Sequence, residues 1–204
     1  MHWLVLAAGQ SSRFGADKLL ATMPDGRTVI DTMLAKVPSE HTLSLVTRPD
    51  NQSLQAALRD VSHPPQHVLL CPCAAEGLGS VMAWSLSRHP VPRWTGILLA
   101  DMPAIRLETL RQLAGLAERL EQRSPSPAST VIAPVYQGQR GHPVLFADTL
   151  IPQLCLLRGD VGARHLLLQE AASGRVSSLE VDDPGILLDI DTPEALTRFH
   201  EGVK

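Results

Sequence analysis

Residues 3–20, WLVLAAGQSSRFGADKLL, leave a short apolar run for a loop of small residues holding one arginine and one lysine, then turn apolar again. Gly9, Ser11, Ser12 and Gly15 let backbone N–H groups approach a ligand, while Arg13 and Lys18 supply fixed positive charge. That combination suits phosphate groups. Neither a Gly-x₄-Gly-Lys-Ser/Thr loop nor a Gly-x-Gly-x-x-Gly turn is present. An ordinary strand-to-helix turn with a solvated Arg and Lys is the competing reading. Further along, GILLADMP (96–103) ends an apolar run on a carboxylate, Asp101, followed by a proline that sets the turn. An acid there can hold a magnesium ion that also binds ligand phosphates, or it can cap the next helix or turn. In LLDIDTPEAL (187–196) side-chain alternation points Asp189 and Asp191 the same way. Either can be a second oxygen ligand, and either can be a helix cap.

The elements that must position these residues follow from hydrophobic periodicity. Apolar runs of strand length occur at 3–7, 43–47, 67–71, 96–100, 130–136 and 142–146. Helical spacing marks Thr28–Val37, Gln52–Val61 and Ser80–His89 between the first four runs, and Leu107–Glu121 after the fourth. Strand alternating with helix implies parallel pairing, right-handed crossovers and a sheet covered on both faces. The fold class expected is α/β, an open three-layer α/β/α arrangement around a mostly parallel sheet. The Pro- and Ser-rich stretch RSPSPAS (123–129) separates a front half, residues 1–122, from a back half, residues 130–204. The back half carries a helical stretch near Val161–Ala172, a strand near Val176–Val181, and a last helix with Thr192 as N-cap and Pro193 in its first turn. In such sheets ligands gather beyond the carboxyl ends of the strands. The loops Ala8–Lys18, Pro72–Ser80 and Asp101–Ala104 therefore frame the candidate site.

At 204 residues the chain suits one domain with a sizeable core. Its composition is 44% hydrophobic and 19% charged, with a formal net charge of −3 and no basic block. Duplex nucleic acid and anionic membrane surfaces are thereby disfavoured as partners, and a small molecule is favoured. No segment approaches the roughly 20 apolar residues of a membrane span, and the N-terminal run is too short for a signal sequence; the expected location is cytoplasmic. Cys71, Cys73 and Cys155 read as reduced thiols, since an odd number does not make a disulfide framework. Their spacing with His63 and His67 fits no structural zinc site.

The motif LAAGQSSRFGADKLL resembles the signature of the nucleotidyltransferases with a Rossmann-like, glycosyltransferase-A type fold. Within that group the chain is most similar to the molybdenum cofactor cytidylyltransferases. AEGLGSVM (75–82), LLADMP (98–103), GQRGHPVLF (138–146), GDVGAR (159–164) and DIDTPEAL (189–196) follow the first motif in the family's order and cover nearly the whole chain. The resemblance implies transfer of CMP from CTP to the terminal phosphate of molybdopterin-bound molybdenum cofactor, with Mg²⁺ and release of pyrophosphate. A recipient molybdoenzyme would be a further partner.

By the same resemblance, Leu6, Ala7, Ala8, Gly9, Ser11, Ser12, Arg13 and Lys18 hold the nucleotide, with Arg13, Lys18 and Asp101 as catalytic groups. Asp101 binds the metal together with Asp191 or Asp189. Glu76, Gly77, Gly79 and Ser80 meet the base, Ser80 also reading as the cap of a helix. Arg140, His142, Pro143, Asp160 and Arg164 belong to the acceptor side, with a structural role for His142 left open. Ala8 stands where guanylyltransferase relatives have glycine, and its methyl group near the base plane favours a pyrimidine. Ala195 departs from the acidic residue often found there. Two other readings stay open: a related transferase using GTP or another acceptor phosphate, sugar or isoprenoid, and a non-catalytic carrier of nucleotide or cofactor.

Overall fold

The computed structural model describes residues 1–9, 17–88, 92–123, 128–192 and 195–197. Ser11, Ser12, Arg13, Gly15 and Pro193 lie outside them. One eight-stranded sheet runs through both halves, in the order β3-β2-β1-β4-β7-β5-β6 with β8 beside β5. The strands are β1 (His2–Leu6), β2 (Thr42–Thr47), β3 (His67–Leu70), β4 (Trp94–Leu99), β5 (Val131–Tyr136), β6 (Gln139–Arg140), β7 (Val144–Ala147) and β8 (Val176–Glu180). The helices are α1 (Val29–Leu34), α2 (Gln52–Ala57), α3 (Leu78–Leu86), α4 (Leu107–Arg123), α5 (Ile151–Leu154) and α6 (Arg164–Ala172).

Alternation along β1 builds the layers. Trp3, Val5 and Ala7 enter one core with residues of α1, α2 and α4, while Leu4, Leu6 and Ala8 enter a second core with α3, α5 and α6. Each fully buried large side chain contributes roughly 1.5–3 kcal/mol, so a strand buried on both faces is held from both sides. On α4, Leu110, Leu113, Ala114 and Ala117 form the buried stripe at the spacing a surface helix requires. Thr28 and Asn51 cap α1 and α2 by accepting from the amides of Asp31 and Leu54. Thr192 accepts from the amide of Ala195, as its position in DTPEAL predicts. No helix among the described residues is long and apolar enough to cross a membrane.

The three-layer class holds, with β1, β2, β3 and β4 all parallel, and β8 parallel to β5. The back half departs from the simple alternation. There β7 inserts antiparallel between β4 and β5, because β5 and β7 are joined through a tight turn instead of a helical crossover. Pro143, which has no N–H to give a ladder, delays β7 to Val144. The short helix α5 carries too few residues to show a period. Because Leu78 and not Ser80 opens α3, the chain enters that helix two residues earlier than its periodicity suggests.

The back half has an ion pair of its own, with a buried carboxylate and a partly exposed arginine. Glu170 is 0% exposed, accepts from Nε and Nη2 of Arg175 at 2.7 Å each, and accepts from the Thr130 hydroxyl. The Arg175 fork holds this carboxylate below its ordinary value of 4.5. A depressed folded pKa stabilises the protein above the unfolded value, and that contribution is lost as the pH falls below it. Thermal melts from about pH 5 to about pH 3 are therefore expected to show a steeper loss in the wild type than in Glu170→Gln. The variant should already be less stable at neutral pH.

Candidate active site

The sheet opens where the connections leaving β1 and β4 diverge. There a cleft of about 550 Å³ is lined by Leu6, Ala7, Ala8 and Gly9 at the end of β1 and by Leu99, Ala100 and Asp101 at the end of β4. Lys18 and Leu19, then Ala74, Ala75, Gly77, Leu78 and Val81, close its sides, and the back half adds Asp160 and Asp191.

The charged centre of the cleft is Lys18. Its Nζ donates to Asp101 Oδ2 at 2.6 Å and to Asp191 Oδ1 at 2.7 Å. Its side chain is only 12% exposed. Burial alone would lower the Lys18 pKa, but the hydrogen bonds to Asp101 and Asp191 outweigh it and hold the ammonium above its ordinary value of 10.5. Lys18 is fixed by its own local structure. Asp17 accepts from the amide of Leu19 at 3.1 Å and from Nδ2 of Asn51 at 2.7 Å, which ties the turn Lys18–Leu20 to the start of α2. Sequence reasoning passed over Asp17 and Asn51, though both are residue types suited to helix caps. The Asp101 loop is held by Lys36, whose amine donates to the carbonyl of Pro103. Ile190 N donates to the Asp101 carbonyl at 2.8 Å, and this bond brings the next residue, Asp191, alongside.

Of the two aspartates in DIDTPEAL, Asp191 reaches Lys18, whereas Asp189 is exposed and is not among the cleft residues. Two carboxylates meeting at one atom form a donor set for a hard divalent cation whose shell is completed by phosphate oxygens and water. No three His, Cys, Asp or Glu side chains are grouped to hold a metal ion among the described residues. The set therefore fits a cation that arrives with phosphate better than a closed protein cage.

The loop before α3 is organised by the back half. Gly79 N donates to the Gly159 carbonyl at 2.8 Å. Ser80 Oγ accepts from Gly159 N at 3.0 Å. Leu78 N donates to Asp160 Oδ1 at 3.3 Å. Ser80 is thus not the cap of α3: Gly77 occupies the cap position, and the free amide of Leu78 is met across the fold by Asp160. Gly79 and Ser80 are both buried and spend their polar groups on Gly159, while Glu76 is exposed. Gly77 and Leu78 remain at the cleft wall. Asp160, expected on the acceptor side, faces the same cavity.

The remaining back-half candidates are not among the residues that line the cleft. Arg140 on β6 and Arg164 at the start of α6 are exposed, and His142 is half-buried, its N–H donating to the Ile186 carbonyl at 2.9 Å. Burial lowers the His142 pKa against the opposing fields of Asp101 and Asp189. The His142–Pro143 peptide is cis. Behind the cleft wall the thiols of Cys71 and Cys73 stand 3.4 Å apart, and burial pushes Cys71 up to about 12.

The chain as a whole has relatives among known proteins. Residues 3–174 match the model of the MobA-like NTP transferase domain. The chain belongs to the MobA-like NTP transferases. It is also 31% identical over 198 residues to the purine catabolism protein PucB of Bacillus subtilis (strain 168), covering 93% of this chain and 90% of PucB. Rv0371c from Mycobacterium tuberculosis H37Rv is similar in structure, with a TM-score of 0.78 at 27% identity, over 100% of this chain and 99% of that one. Rv0371c in complex with manganese gives a TM-score of 0.72 at 26% identity, over 99% and 98% of the two chains. The chemistry of this MobA-like NTP transferase is nucleotidyl transfer from a nucleoside triphosphate.

Proposed function

We propose that the chain transfers CMP from CTP to the terminal phosphate of molybdopterin-bound molybdenum cofactor, in the cytoplasm, with a divalent cation. The observation that carries the reading is the junction of Lys18 with Asp101 and Asp191 in a cleft walled by Ala8 and Gly77. In this reading the front half, residues 1–122, holds the nucleotide and the back half, residues 130–204, holds the acceptor.

An acceptor phosphate oxygen attacks the α-phosphorus in line; the new P–O bond forms as the bond to the β-phosphate bridging oxygen breaks, and pyrophosphate leaves with that electron pair. Magnesium held by Asp101 and Asp191 would offset charge on the phosphates, and the manganese complex of Rv0371c supports a divalent ion of this kind. Lys18 enters the reaction as an ammonium, because its hydrogen bonds to Asp101 and Asp191 raise its pKa against burial. Freed from one carboxylate, it neutralises α-phosphate oxygens; Arg13 adds a second positive charge. In this reading Arg140 and Arg164 grip the acceptor phosphate. No protein nucleophile is needed.

Pyrophosphate release measured with CTP and with GTP, each with and without molybdopterin, tests the proposal. Turnover with CTP only when molybdopterin is present is expected; turnover with GTP alone, or with neither, counts against it. Ala8 is 5% exposed at the cleft floor, so Ala8→Gly is expected to raise kcat/KM for GTP relative to CTP by about 10-fold, the low end of what one methyl discriminates. A second reading is nucleotidyl transfer by a related transferase to another acceptor phosphate, and the molybdopterin arm separates the two.

A further inference from the structure

Asp191 lies in a segment without regular structure after the turn Pro184–Leu187, yet its carboxylate meets that of Asp101 at a single ammonium. What keeps these two loops together lies outside the cleft. Asp183 is 2% exposed, and both its oxygens are engaged. Oδ2 accepts from the amide of Arg106 at 2.9 Å and from the Thr109 hydroxyl at 2.6 Å, and Oδ1 accepts from the amide of Gly185 at 3.0 Å. The first two donors open α4, where helix amides otherwise lack partners; the third folds the chain back toward the loop after β4. Gly185 then packs so closely on that loop that an added Cβ would lie 2.7 Å from Ile105 N. Five residues later Ile190 bonds the Asp101 carbonyl.

We propose that Asp183 is a positioning residue for the acid pair: by clamping the 183–191 segment to the start of α4, it holds Asp191 against Lys18 and Asp101. The inference rests on the reading of Asp101 and Asp191 as the metal-binding pair. A carboxylate is required because all of its partners are donors, and asparagine would turn an N–H₂ group toward one of them. Groups hydrogen-bonded directly to metal ligands typically set 10- to 100-fold in affinity, and Asp183, which acts on Asp191 through the chain, is assigned the low end.

The test is Mn²⁺ binding to the full chain in the presence of CTP, read from the loss of the free-ion electron paramagnetic resonance signal. Wild type, Asp183→Asn, Asp191→Asn and the double variant are compared, with a thermal melt of each. Asp183→Asn is expected to weaken Mn²⁺ binding about 10-fold. In the Asp191→Asn background it should change affinity no further, while lowering the melting temperature equally in both backgrounds. Thr109→Val, which removes one donor, should weaken binding by a smaller factor and serves if Asp183→Asn fails to fold. Wild-type affinity in Asp183→Asn, or in Thr109→Val when it stands in, overturns the proposal, as does a double variant weakened by the product of the two single effects. Unchanged affinity in Asp191→Asn instead removes the metal reading, and the positioning role with it.

Discussion

Asp101→Asn is expected to lower nucleotidyl transfer by about 10²–10³-fold, the range for losing one electrostatic group aimed at developing charge. Asparagine keeps the shape of the side chain and removes its charge. Lys18 keeps Asp191 as a partner at 2.7 Å, so the ammonium is not left unpaired and the fold should hold. Lys18→Met should cost transfer to a similar degree, because the cation and the acids act as one unit. For the same reason the double variant should be far less impaired than the product of the single effects. Steady-state pyrophosphate release at saturating CTP measures these losses, with thermal melts to show that each variant folds. Near-wild-type turnover by Asp101→Asn would remove Asp101 from the reaction.

Gly79→Ala is expected to destabilise the fold and the cleft together. Its Cβ would overlap the carbonyl oxygen of Val161 and lie 3.0 Å from that of Gly159. Both obstacles are backbone, which cannot swing aside as a side chain can. Overpacking of this kind costs about 1–3 kcal/mol, which for a chain of this size lowers the melting temperature by about 5 °C. The same shift disturbs Ala74, Ala75, Gly77 and Leu78 at the cleft wall, so CTP affinity measured by calorimetry should fall with it. A melt and a CTP titration matching the wild type would mean that the 159–161 loop does not brace the cleft. This prediction departs from a base-recognition role for Gly79, whose amide is already given to Gly159.

Local patterns in the chain determined much of the architecture. Alternation in WLVLA places Trp3 and Val5 on one face of the sheet and Leu4 and Leu6 on the other. Strand-helix alternation specifies the parallel front half, and Thr192 marks the start of its helix by residue type alone. Asp101 at the end of an apolar run, with a lysine in the first loop, already suggested a phosphate site. Tertiary structure alone decided which acid joins Lys18, across 173 positions of chain; that β7 runs antiparallel beside β4; and that Gly79, Ser80 and Asp160 interlock two loops. Asp183 gave no signal, since an acid before Pro-Gly reads as a turn residue wherever it stands. The division has a physical cause. Burial and capping act over a few residues, so spacing records them, whereas the meeting of loops from distant parts of the chain depends on sheet register and on close approaches that leave no local period.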